Sequence, residues 1–143
     1  MPPTYFMILL FFSMGFHFVF PISKFVFVPY NYVGIVFIAF GVVMNLWTDS
    51  LFKQKQTTVK PHLMPSFFIV TGPFKISRHP MYIGMLSILL GTAVFLGSLS
   101  SFVFPIIFIV IIEKLFIPIE EENLEKKFGN KYSEYKKRVR RWI

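Results

Sequence analysis

Residues 4–20, 30–52, 81–97 and 102–119 form four blocks that are almost free of charge. A bilayer-spanning helix needs about 20 such residues, so four spans account for most of a 143-residue chain. With 55% hydrophobic and only 15% charged residues, too few polar side chains remain to give buried helices a water-facing surface. The expected fold is an all-α membrane protein of about four transmembrane helices, followed by a cytoplasmic amphipathic helix over residues 120–140. All of it forms one domain, 1–143. The first block lacks the basic start and small-residue cleavage site of a secretion signal and reads as a retained helix.

The charges fix an orientation. Residues 53–80 carry Lys53, Lys55, Lys60, Lys75 and Arg78 without an acid, and eight of the 15 Lys and Arg lie from Lys126 onward. The first hairpin loop holds Lys24 alone, and the turn at 98–101 holds none. Four spans put the amino terminus, the central loop and the carboxyl-terminal tail on one face, which the positive-inside rule makes cytoplasmic. The cations flank membrane helices with no nucleic-acid module around them, so anionic headgroups and not nucleic acid are the expected partner of the net charge of +8. Zero cysteines and three scattered histidines remove disulfides, thiolate chemistry and a metal site.

Within the spans, Gly84, Ser87 and Gly91 recur at spacings of three and four and predict a face that a neighbouring helix approaches closely. Gly97 and Ser98 predict a tight turn, making the third and fourth spans an antiparallel hairpin. Pro105 and Pro118 predict kinks in the fourth span. The central loop, punctuated by Pro61, Pro65 and the Gly72-Pro73 turn, contains "SFFIVTGPF", which is too apolar for a free linker and is expected to fold back on the helix ends. Beyond the fourth span, Leu124, Phe128, Tyr132, Tyr135 and Val139 mark one helical face, bent near Gly129.

Two polar groups stand out. Arg78 and His79 immediately precede the third span, where Pro80 suits the first helical turn and free N–H groups favour an anion. Arginine adds a planar fork for a carboxylate or phosphate. Glu120, Glu121 and Glu122 follow the fourth span, and the hairpin brings them to the same face. Three acids at the carboxyl end of a helix oppose its dipole and need a cation. A ligand with both a carboxylate and an amine satisfies both groups, which points to an amino-acid-like cofactor. Asp49 and Asn45 in the second span and His17 in the first are further candidates by their depth, although Asp49 also has Lys53 at the spacing of an ordinary helix pair. No catalytic residue is singled out; His79, Glu121 and Asp49 are the candidates for a base.

The stretches "TTVKP" (57–61), "GPFKISRHPMYIG" (72–84) and "EEENLEKKFGNKYSEYKKRVRRW" (120–142) resemble the membrane methyltransferase superfamily of isoprenylcysteine carboxyl methyltransferases and phospholipid N-methyltransferases. The resemblance covers about the carboxyl-terminal two thirds, and its specificity lies in the pairing of RHPxYxG with EExxLxxxFGxxYxxY. It implies that Arg78, His79, Tyr82, Gly84, Glu120 and Glu121 line a site for S-adenosylmethionine, with Glu122 outside the pair, and that the methyl acceptor is lipophilic or membrane-embedded: a prenylcysteine carboxylate, a phospholipid amine or a small thiol. Many relatives carry an arginine just before the glutamates; here "LFIPI" precedes them and the nearest base is Lys114. Sterol-type membrane reductases share a similar RHPxYxG stretch, which keeps a nicotinamide-dependent reductase as an alternative. A non-enzymatic scaffold binding anionic lipid is another. Binding of S-adenosylmethionine or its demethylated product separates methyl transfer from both.

Overall fold

In the computed structural model, residues 1–20, 23–24, 26–57 and 66–143 are described. They are helical apart from turns, with a single isolated antiparallel bridge between Lys24 and Ser98. The order is α1 (Pro2–Val19), α2 (Val33–Gln54), α3 (Pro80–Leu96), α4 (Val103–Ile111), a π turn (Ile112–Phe116), α5 (Ile117–Phe128) and α6 (Asn130–Arg138). "TTVKP" lies outside the described residues from position 58 on, as do Pro61 and Pro65.

Side-chain contacts give the directions of the helices. Tyr5 and Phe16 of α1 meet Phe116 of the π turn and Phe104 of α4. Gly34 and Gly41 of α2 face Gly91 and Gly84 of α3. The four rods therefore alternate up and down. One end carries Phe52, Phe74, His79 and Glu120. The opposite end carries Lys24, the turn at Gly97 and Ser98, and His17, whose Nδ1 lies 2.9 Å from Ser98 Oγ. Gly97 closes α3 in the left-handed region (φ 72°), with its N–H bonded to Ala93 O at 2.9 Å, a conformation that an L side chain adopts only with strain.

The predicted small-residue face of α3 is the α2–α3 interface. A Cβ on Gly91 would lie 2.6 Å from Gly34 O, and Ser87 Oγ donates to Phe37 O at 2.8 Å. Packing of this kind replaces the hydrophobic drive that lipid does not supply. On the other side of α3, Leu89, Phe108, Ile112 and Ile117 form a core with no exposed surface, joined by Leu9 of α1. The outward faces remain apolar: Phe11 is 75% and Leu46 65% exposed, as expected where acyl chains are the solvent.

Among the described residues, three helical stretches are long and apolar enough to cross a bilayer: Pro2–Val19, Tyr30–Gln54 and Leu99–Phe128. The remaining expected span, the third, is α3, which has 17 residues and reaches about 26 Å, a little short of the roughly 30 Å hydrocarbon core.

One expectation changes at the last span. The helix does not stop at residue 119 with a separate one beginning at 120; it runs without a break to Phe128 and ends at Gly129. Glu120, Glu121 and Glu122 thus lie inside a helix, and the argument from its carboxyl-terminal dipole does not apply to them. Both prolines of this span fall at starts of helical segments. Pro105 sits in the first turn of α4, where no helical N–H bond is lost. Pro118 cannot bond to the carbonyl four residues back, Lys114, and that carbonyl lies within the π turn, so the misfit is absorbed as one wide turn.

The central loop does fold back. Phe68 stacks on Phe128 at 5.2 Å and meets Tyr132 and Tyr135 edge-on. Tyr135 ties it further, its O–H donating to Phe74 O at 2.6 Å. The apolar side of α5 and α6 is therefore covered by protein, and the basic side faces outward.

Candidate functional site

Helix lengths alone bring the two polar groups level. From Leu96 back to Pro80 α3 rises about 24 Å, and from Val103 to Glu120 the last helix returns about 25 Å. His79 is the residue before the first turn of α3, and it is buried between the glutamates. Its Nδ1 lies 3.1 Å from Glu120 Oε2 and its Nε2 3.4 Å from Glu121 Oε1. Tyr82, one turn on, stacks its ring on that of His79 and donates its O–H to Glu120 Oε1. Ser77 Oγ accepts the His79 N–H at 3.0 Å and fixes the backbone entry to the helix.

Burial opposes a charge on His79, but the hydrogen bonds and charges of Glu120 and Glu121 outweigh it and hold the imidazole above its ordinary value. With both nitrogens facing carboxylates, the imidazolium donates from each. The sign of the linkage follows. A folded-state pKa above the unfolded 6.5 gives stability that is fully present below pH 6.5 and is lost as pH rises through the raised value. The melting temperature in detergent should therefore fall as pH rises above 6.5, and His79→Gln should flatten that decline. Equal slopes for both proteins would contradict the arrangement.

Arg78 is also buried. Its Nη1 lies 3.0 Å from Glu121 Oε1, a contact of charges without hydrogen-bond direction, since Nε and Nη1 have no hydrogen-bond partner. Beside this guanidinium, the fully buried Tyr132 has an O–H that finds no acceptor at hydrogen-bond geometry. Burial and the Glu121 charge push this phenol up to about 12, against the opposing pull of Arg78, so it remains a neutral donor. Buried unpaired donors are rare in folded proteins. Three of them, from two neighbouring side chains, define a place for an acceptor.

Arg78, His79, Tyr82, Glu120 and Glu121 are thus brought together as expected from the sequence. Gly84 is not with them; it faces Asn45 and Gly41 across the α2–α3 interface. Asp49 pairs with Lys53 at 2.6 Å, Glu122 with Lys126 at 2.5 Å, and His17 belongs to the opposite end of the bundle.

Three further residues were not anticipated as site residues. Tyr132 was read only as one position of an amphipathic stripe, although it is the first tyrosine of FGxxYxxY. Arg141 returns from beyond α6 to donate to Glu121 Oε2 at 2.9 Å and Glu113 Oε1 at 2.7 Å, and the two carboxylates hold its guanidinium above its ordinary pKa. Glu113, within the π turn, also accepts the Trp142 indole N–H at 3.2 Å. No periodicity connects residues 28 apart, so this pairing had no signal in the sequence.

The family model described as phospholipid methyltransferase matches residues 30–131, a range that takes in Arg78, His79, Tyr82, Glu120 and Glu121. The chain belongs to the phospholipid methyltransferase family. Relatives agree with that membership in an integral membrane methyltransferase family. A probable protein-S-isoprenylcysteine O-methyltransferase from Oryza sativa subsp. indica is 31% identical over 112 residues, 76% of this chain and 58% of the rice protein. The protein-S-isoprenylcysteine O-methyltransferase of Schizosaccharomyces pombe is 35% identical over 83 residues, 56% of this chain and 32% of its own length. An uncharacterised Haemophilus influenzae protein is 44% identical over 63 residues, 44% of this chain and the whole of that protein. The chain thus spans little more than half, or less, of the methyltransferases it matches. No solved structure matches it.

Proposed function

We propose that this chain binds S-adenosylmethionine at the Arg78–Glu120–Glu121 cluster and directs its methyl group to a lipophilic nucleophile that enters from the bilayer. The observation that carries the reading is the set of buried donors without a hydrogen bond, Arg78 Nε and Nη1 and Tyr132 O–H, beside a pair of carboxylates. An amino-acid group fits such a set. Arg78 and Tyr132 would take its carboxylate. Glu120 is 20% exposed and accepts one bond on each oxygen from Tyr82 and His79, so it retains lone pairs for the ammonium. Glu121 anchors Arg78, and Gly84 contributes by letting α2 approach α3.

When bound, S-adenosylmethionine supplies a methyl group on a sulfonium, already electrophilic. The side chains therefore need only hold the reacting atoms in line and keep water away. His79 serves by charge and position: with a proton on each nitrogen it has no lone pair to act as a base. Asp49, paired with Lys53, is equally committed. The acceptor's own acidity then matters more than any residue here, which suits a carboxylate, already ionised at neutral pH, better than a lipid amine, whose ammonium must first lose a proton to water.

The names of the relatives favour methyl transfer over nicotinamide reduction, and support either a prenylcysteine carboxylate or a phospholipid amine as acceptor. The positive-inside rule supports four spans in one domain, with both termini and residues 53–80 in the cytoplasm. Calorimetry in detergent tests donor binding: S-adenosylhomocysteine, the demethylated product, should bind with micromolar affinity, and no binding to folded protein rejects the reading. Transfer of labelled methyl in membranes then separates acceptors. Alkali-labile label in a farnesylcysteine analogue marks a carboxyl ester, and stable label in extracted lipid marks an amine.

A further inference from the structure

Glu113 is an ionisable residue seven positions deeper in a membrane helix than Glu120, about 10 Å along it. Such a group is costly there without a partner and by default functional. Its position follows from the π turn. Eight residues of regular α-helix would rotate Glu113 about 80° away from Glu121. The turn absorbs one residue, so the two behave as if seven apart and differ by about 20°. Both carboxylates therefore project on one side of the helix, and a single guanidinium reaches both: Arg141 Nη1 lies 2.7 Å from Glu113 and Nη2 2.9 Å from Glu121.

The segment carrying Arg141 is tied down from the other side as well. Arg78 N–H donates to Arg140 O at 3.1 Å, Ser77 Oγ donates to Arg141 O at 2.9 Å, and Trp142 packs against the buried core cluster that includes Tyr82 and Phe116. Residues 140–142 thus form a strap between the loop that presents Arg78 and His79 and the helix that presents the glutamates. Glu113 holds its far end.

We infer that Glu113 is a positioning residue of the donor site: by gripping Arg141 and Trp142 it closes the strap and aims the Glu121 carboxylate at His79 and Arg78. The inference rests on the donor-site reading above. Without Glu113, the Arg141 fork either collapses onto Glu121 alone or leaves it, and in both cases the carboxylate is no longer held for Arg78.

The test uses the full chain in detergent with Trp47→Phe, leaving Trp142 as the sole indole, and S-adenosylhomocysteine as probe. Glu113→Ala should shift Trp142 emission to the red and weaken the probe at least tenfold. Glu113→Gln, which keeps an acceptor for the indole, should weaken it less. Arg141→Lys keeps a charge but loses the fork; it should weaken the probe without the red shift. A purely structural strap would lower the melting temperature alone. A positioning one also weakens the probe, with part of the affinity recovered in Glu113→Gln. A red shift with unchanged affinity overturns the inference, and so does unchanged emission. If the unaltered chain binds no probe, the donor-site reading fails, while the emission shift still reports whether Glu113 holds the strap.

Discussion

Arg78→Ala should abolish measurable binding of S-adenosylhomocysteine, a loss of at least 100-fold or about 2.8 kcal/mol, while the protein stays folded. The two parts of this expectation have different origins. Arg78 is buried and neither Nε nor Nη1 makes a hydrogen bond, although Nη1 lies 3.0 Å from Glu121 Oε1, so an anionic ligand gains a charge-assisted bond in a dry site. Removing one member of a buried ion pair usually costs about 3–5 kcal/mol because the other is stranded. Here Glu121 keeps Arg141 at 2.9 Å and His79 at 3.4 Å, and the penalty should be well below that range. Arg78→Lys retains charge but not the planar fork and should recover only part of the affinity. Calorimetry with a parallel melting curve decides the matter. Affinity within threefold of the parent would mean that the orphaned donors do not receive the ligand.

Gly41→Val should be among the most destabilising substitutions in the chain. A Cβ at this position runs into Gly84 O and lies 2.7 Å from Ile88 Cγ1 and 3.0 Å from Ile88 N. Two of these three atoms are backbone of α3, which cannot rotate away, so the helices must separate. Overpacking of this kind costs about 1–3 kcal/mol, and loss of the surrounding close contacts, including Gly34 against Gly91, adds to it. Gly15→Val is the control, because a Cβ there meets nothing within 4 Å. Both replace glycine by a β-branched residue inside a membrane helix, so their difference isolates packing from propensity. Melting temperatures in detergent within a degree of each other would remove the α2–α3 contact as a source of stability.

Several features could be read before any coordinates. Hydrophobic blocks specify spans because bilayer thickness sets a length, and Gly97 specifies a turn because few residues accept its backbone angles. The meeting of His79 with Glu120 and Glu121 followed from those lengths: two helices leaving one turn return to one level after equal numbers of residues. Gly84 shows where the reading was less complete. Its spacing with Ser87 and Gly91 pointed to packing and the family resemblance pointed to the cofactor, and the fold commits it to packing against Asn45.

What the sequence by itself determined was this local, periodic part: spans, their alternation, the start of α3 at Pro80 and the membrane end at which cations and acids collect. Tertiary structure alone decided the pairing of Glu113 with Arg141 and the burial of Tyr132. The physical reason is that neither depends on a period. The first needs a π turn that rephases one helix by a residue and a strap whose path is set by backbone bonds to Arg78 and Ser77. The second needs Phe68 to fold back over Tyr132. Both are consequences of where distant segments come to rest, and a sequence pattern records only how near ones repeat.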